Sequence, residues 1–150
     1  MFDSMRKPVA TSPDDVRPGG DGAGTVLIAD NDTAVNSLLT AILTDKGLHC
    51  VSVFDGEEAL ARLHEGGIDV LVTDLDMPKL DGRQLLGRLA EIDPQPATLV
   101  ISGYLDAVAE DQLRQYAAVR QVLRKPFDVI QFAVLVEQEA KAHRSSGSGS

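Results

Sequence analysis

A chain of 150 residues with 43% hydrophobic content can bury one ordinary core, and no apolar run approaches the roughly 20 residues of a membrane span. Its 23 acidic and 14 basic residues leave a net charge of −9, which argues against the basic stripe that a nucleic-acid-binding surface needs. The single cysteine, Cys50, leaves no internal disulfide and fits a small buried hydrophobe in a reducing cytosol. With no apolar signal-peptide core at the N-terminus, the expected location is cytoplasmic and away from membranes.

Residues 1–24 carry Pro8, Pro13 and Pro18 beside Gly19, Gly20, Gly22 and Gly24, with no periodic apolar pattern, and read as a flexible leader. Thr25 to Ala29 is a compact apolar strand that ends in Asp30, Asn31 and Asp32. Val35, Leu38, Leu39, Ile42 and Leu43 follow at helical spacing, and Gly47 stops that helix. His49 to Phe54 makes a second strand, and Asp55 is placed to cap a helix carrying Ala59, Leu60 and Leu63 that ends at Gly66-Gly67. Ile68 to Thr73 is a β-branched, apolar run of the kind buried on both faces of a parallel sheet. It runs into Asp74 and breaks at Pro78 and Asp81-Gly82.

A third helix carries Leu85, Leu86, Leu89 and Ile92 and closes at Asp93-Pro94. Thr98 to Ile101 forms a fourth strand ending in Ser102-Gly103, and a weaker helix spans roughly 106–116. Gln121 to Arg124 is a short fifth strand before Lys125-Pro126, and Asp128 caps a last helix running to about His143. Its broad apolar face (Val129, Ile130, Phe132, Ala133, Val134, Val136) is mostly core but wider than one stripe requires, which leaves room for a partner or a second copy. Residues 144–150, rich in Ser and Gly, read as a flexible tail or an appended linker. The folded unit is therefore 25–143. Alternating strands and helices demand a parallel sheet with right-handed crossovers. The expected fold is a doubly wound, flavodoxin-like α/β domain with strand order 2-1-3-4-5.

Parallel order brings every strand's C-terminal end to one edge, where open α/β sheets bind their ligands. Asp30, Asp74, Ser102 and Lys125 all arrive there. Two close carboxylates repel unless a cation sits between them. Hard oxygen ligands without nearby His or Cys favour Mg²⁺, with Mn²⁺ as a substitute. A hydroxyl and an ammonium suit the remaining oxygens of a phosphoryl group, so the natural chemistry is phosphoryl transfer to Asp74.

These residues resemble the receiver domain of bacterial response regulators. The likeness rests on Asp30, on Asp74 followed by Met77-Pro78 and Asp81-Gly82, on Ser102-Gly103, and on Lys125-Pro126-Phe127. It implies a phosphoacceptor, Asp74, charged by a histidine kinase or a phosphotransfer protein. It further implies Mg²⁺ held by Asp30, Asn31, Asp74 and the Asp76 carbonyl, phosphoryl contacts from Ser102 and Lys125, and a cis Lys125–Pro126 bond. Output would pass through the fourth helix, fifth strand and fifth helix to a protein target or a second copy. The chain would be a signalling module that catalyses only its own phosphorylation and dephosphorylation.

Three positions depart from the resemblance. Asn31 stands where the family usually has a second acid, so metal affinity should fall, with compensation by Asp32 through water as an open expectation. Val122 replaces an aromatic switch residue. Asp76 and Tyr104 occupy positions that tune hydrolysis of the acyl phosphate. Met77 reads as packing, and His49, His64 and His143 lack paired spacing. Two alternatives stand beside this reading: a pseudo-receiver that binds partners without phosphorylation, and an aspartate-nucleophile phosphatase built on Asp74-Leu75-Asp76.

Overall fold

The computed structural model describes residues 24–148, so the leader expected over 1–24 lies outside the described residues except for Gly24. Five strands and five helices alternate: β1 Thr25–Ala29, α1 Thr33–Asp45, β2 His49–Val53, α2 Gly56–Glu65, β3 Val70–Asp74, α3 Gly82–Arg88, β4 Ala97–Ser102, α4 Ala107–Arg114, β5 Val119–Arg124 and α5 Val129–Ser148. All strand pairs are parallel, and the order is β2-β1-β3-β4-β5.

Burial explains the order. Every residue of β1, β3 and β4 is buried, whereas β2 and β5 at the edges are only partly so. Successive strand residues point to opposite faces. Val26, Ile28, Val70, Val72, Leu99 and Ile101 therefore meet Leu39 and Leu43 of α1 and Phe132, Ala133, Val136 and Ala140 of α5. Leu27, Ala29, Leu71 and Val100 face the other way, onto Ala59 and Leu63 of α2, Leu85 and Leu86 of α3 and Leu113 of α4. Of the apolar residues expected along α5, Ile130 instead points outward at 71% exposure.

The ends differ from the sequence expectation in physically readable ways. The β4–β5 register skips between Thr98 and Leu99, so Thr98 pairs with Val119 and Leu99 with Gln121. This irregularity hides the first two residues of β5 from a simple alternation pattern. The third helix ends at Arg88 and tightens into a 3₁₀ turn over Leu89–Glu91, which is why Ile92 falls outside it. The last helix runs to Ser148, past the expected end near His143. Gly47, at φ +90°, closes α1 while its N–H donates to the Thr44 carbonyl.

At the sheet edge away from Asp74, Asp69 ties several elements together. Its carboxylate accepts from the Thr25 amide and meets Nδ1 of His143, while its backbone carbonyl accepts from the Ala97 amide. No helix among the described residues is long and apolar enough to cross a membrane.

Candidate functional site

Three of the expected side chains converge at the C-terminal edge of the sheet. Asp30 follows β1, Asp74 closes β3 and Lys125 follows β5. The Lys125 ammonium donates to Oδ2 of Asp30 at 3.1 Å and to Oδ2 of Asp74 at 2.7 Å. Both carboxylates are buried, Asp30 completely. Their other oxygens are held by their own loops: the Asp32 amide donates to Oδ1 of Asp30, and the Asp76 amide to Oδ1 of Asp74.

This arrangement sets the charge balance. Burial pushes the Asp30 carboxyl above its usual range and the Asp74 charge adds to that, against the opposing Asp32 amide and Lys125 ammonium. Burial alone would lower Lys125, but its hydrogen bonds to Asp74 and Asp30 outweigh that and hold it above the ordinary lysine range. The Lys125–Pro126 peptide is cis. Beside it an apolar groove of about 370 Å³ is lined by Val35, Leu38, Leu39, Lys125, Pro126, Phe127 and Val129. The lysine stem thus lies along apolar surface while its head reaches the acids.

Among the remaining expected residues, Asp76 touches this cluster through its backbone amide, and the Ser102 carbonyl accepts from the Lys125 amide at 2.8 Å. The Ser102 side chain is buried, but its hydroxyl turns into its own loop, accepting from the Tyr104 amide at 3.1 Å. Asn31 and Asp76 are exposed, and Tyr104 is 91% exposed. Val122 is half-buried against the core that includes Leu105, Leu113 and Ala118. Asp32 caps α1, its carboxylate accepting from the Ala34 and Val35 amides. Both bonds go to Oδ1 of Asp32.

Backbone fit fixes where Asp74 sits. A Cβ on Gly82 would lie 2.3 Å from the Asp74 carbonyl oxygen and 2.6 Å from the Leu75 Cα, so only glycine lets the loop return this close. Asp81 then starts α3 with a capping box, exchanging hydrogen bonds with Gln84. The Thr73 hydroxyl donates to the Asp74 carbonyl at 2.8 Å.

Among the described residues, no three His, Cys, Asp or Glu side chains form a ready cage for a metal. Two buried carboxylates side by side still match what Mg²⁺ requires, since it takes one or two carboxylates and keeps several waters. Sequence reading missed Asn36, which is 2% exposed and holds the backbone beside Asp30. Its signal is a polar residue in the apolar stripe that Leu39 and Leu43 continue.

Residues 26–137 match the family profile of the response regulator receiver domain. The chain is similar to the DNA-binding transcriptional regulator NtrC of Salmonella typhimurium, with 32% identity over 115 residues, covering 77% of this chain and 24% of that protein. It thus spans about a quarter of the length of these relatives. The response regulator receiver protein CpdR of Brucella abortus is 34% identical over 102 residues, covering 68% of this chain and 84% of that protein. Among solved structures, the receiver domain of a Francisella response regulator aligns with a TM-score of 0.73 at 25% identity, over 79% of this chain and 98% of that one. The response regulator TrrA of Thermotoga maritima, solved with Mg²⁺–BeF, has a TM-score of 0.67 at 21% identity, over 77% and 98%, and speaks for the fold alone.

Proposed function

This chain belongs to the response regulator receiver domain family, and we propose that it accepts a phosphoryl group on Asp74 from the phosphohistidine of a histidine kinase or a phosphotransfer protein. The observation that carries this reading is the Lys125 ammonium bridging two buried carboxylates at the ligand-binding edge of the sheet. A carboxylate oxygen of Asp74 attacks the phosphorus, the P–N bond of the donor breaks, and its imidazole leaves with the electron pair. The product is an acyl phosphate. Lys125, already on Oδ2 of Asp74, is positioned to stay with the transferred group and offset its charge. Asp30, Asp74, the Asp76 carbonyl and the Asn31 amide would hold Mg²⁺, which when bound neutralises the acidic pair and the incoming phosphoryl oxygens.

Ser102 supplies the link to output. To donate to a phosphoryl oxygen its hydroxyl has to redirect the proton it now offers the Tyr104 carbonyl at 3.4 Å, which loosens the loop leading into α4. The receiving face is α4, β5 and α5, where Val108 and Ile130 are exposed, with exposed Tyr104 in the loop before α4, and a target protein or a second copy binds there. With Val122 in place of an aromatic, the change passes through the loop and α4 without a ring moving inward.

Asp74 ends the third strand, not the first, which weighs against the aspartate-nucleophile phosphatase. The exposed amide at Asn31 favours one second reading, a binding module that works without phosphorylation. Incubation with Mg²⁺ and acetyl phosphate separates the two. The expected result is a hydroxylamine-sensitive acyl phosphate absent from Asp74→Ala. A wild-type protein that stays unmodified under these conditions, and under phosphotransfer profiling against histidine kinases, leaves only the binding module.

A further inference from the structure

Asn36 is the one polar residue of α1 buried in the stripe that faces the sheet. A buried amide costs stability unless its donors and acceptor find partners. Here they do. Nδ2 donates to the Asp30 carbonyl at 3.0 Å and to the Val53 carbonyl at 2.9 Å, with the Ile28 carbonyl farther off at 3.5 Å. Oδ1 accepts from the Thr40 hydroxyl, whose oxygen also lies 2.8 Å from Oγ of Ser52. Carbonyls on one side and a hydroxyl on the other orient the amide unambiguously.

The consequence falls on Asp30. Its N–H donates to the Val53 carbonyl and its C=O accepts from Asn36, so the backbone on both sides of its Cα is pinned. The side chain leaves that pinned backbone completely buried and aimed at Lys125. Val53 is the last residue of β2, so the same amide also joins the ends of β1 and β2 where the chain turns into α1. A group that fixes a ligand's orientation from behind commonly sets metal affinity without touching the metal.

From this geometry we infer that Asn36 is a positioning residue, which holds the Asp30 carboxylate in the orientation a divalent cation needs. The inference rests on the reading of Asp30 as a metal-binding group. Its test is Mg²⁺ titration by calorimetry on the unphosphorylated full chain, with the rate of acyl phosphate formation from acetyl phosphate measured across Mg²⁺ concentrations. Asn36→Ala should weaken Mg²⁺ binding about tenfold, within the range seen for such supporting groups. The phosphorylation rate at saturating Mg²⁺ should recover towards the wild-type value.

Leu43→Ala weakens the same helix two turns on and should leave Mg²⁺ affinity unchanged. Thr40→Ala removes only the hydroxyl that orients the amide and should give a smaller loss in the same direction; it decides the matter if Asn36→Ala does not fold. Asn36→Ala binding Mg²⁺ like wild type, or Leu43→Ala losing as much affinity, overturns the inference. Asp30→Asn separates the two levels. If it loses Mg²⁺ while Asn36→Ala does not, only the positioning role fails, and if neither loses Mg²⁺ the metal-binding reading falls with it.

Discussion

Replacing Lys125 by alanine leaves two buried carboxylates facing each other with no cation between them. Removing one partner of a buried ion pair costs about 3–5 kcal/mol when the survivor stays charged and dry. The Lys125 side chain is 24% exposed, against 0% for Asp30 and 8% for Asp74, so water reaches the vacated side of the pair. The Asp32 and Asp76 amides also keep one oxygen of each acid satisfied. A loss of about 2 kcal/mol near neutral pH follows from that partial exposure, equivalent to a drop in Tm of roughly 8 °C.

The pH dependence has a definite sign. Burial already raises the Asp30 carboxyl, so the folded state takes its proton more readily than the unfolded chain does. The associated stability is present at low pH and is lost as pH rises through the raised value. Lys125 opposes that rise, and without it the rise grows. Because Lys125 itself is raised, its contribution is complete well below the ordinary lysine value of about 10.4. It therefore stays constant between about pH 5 and pH 8. Urea melts should show the deficit of Lys125→Ala shrinking from about pH 8 to about pH 5, and the double variant Asp30→Asn/Lys125→Ala should recover part of it at the higher pH. A deficit equal at both pH values, with a double variant no more stable than Lys125→Ala, refutes the electrostatic account.

Three further outcomes are expected. Gly82→Ala should cost about 2 kcal/mol because backbone at Asp74 and Leu75 has to move; acyl phosphate yield at a temperature where the variant stays folded should also fall, and wild-type labelling would show that Asp74 tolerates the shift. Asp32→Ala removes the α1 cap and should lower stability by about 1 kcal/mol in urea melts, while calorimetry finds Mg²⁺ affinity unchanged; a large loss of affinity would return Asp32 to the metal site. Asn31→Asp adds a carboxylate beside Asp30 and should tighten Mg²⁺ binding about tenfold, and unchanged affinity would mean that Asn31 does not face the metal.

The fold was legible because the central strands are buried on both faces and hence read as unbroken apolar runs. Asp74 and Lys125 were legible for a related reason, since a charged residue that ends or follows such a strand has few places to go except the ligand edge. The start of β5 was not, because an edge strand with a register skip lacks a clean period. Asn36 was harder still. In a stripe continued by Leu39 and Leu43 an amide looks like an interruption, and only the tertiary structure supplies the Asp30 and Val53 carbonyls that make burial favourable. The inward turn of Ser102 towards Tyr104 is a rotamer choice that no spacing rule contains.

Taken together, these contacts make the resting site a competition for the same oxygens. Two carboxylates and one ammonium leave a net negative charge, so a divalent cation is attracted, yet Oδ2 of both acids is already engaged by Lys125. A cation that uses those atoms has to share them with the ammonium or displace it, and Asn31 offers it no charge in return. Both features push towards weak binding in the resting state. On the proposed function a phosphoryl group would reverse the balance, since it would bring fresh anionic oxygens for Lys125 to follow and leave the carboxylates available to a cation. Metal affinity should therefore rise when a phosphoryl mimic such as beryllofluoride is present, and the rise should be smaller in Lys125→Ala, where the acids have no ammonium to release. Equal enhancement in the variant and in wild type would show that the lysine does not compete for the site.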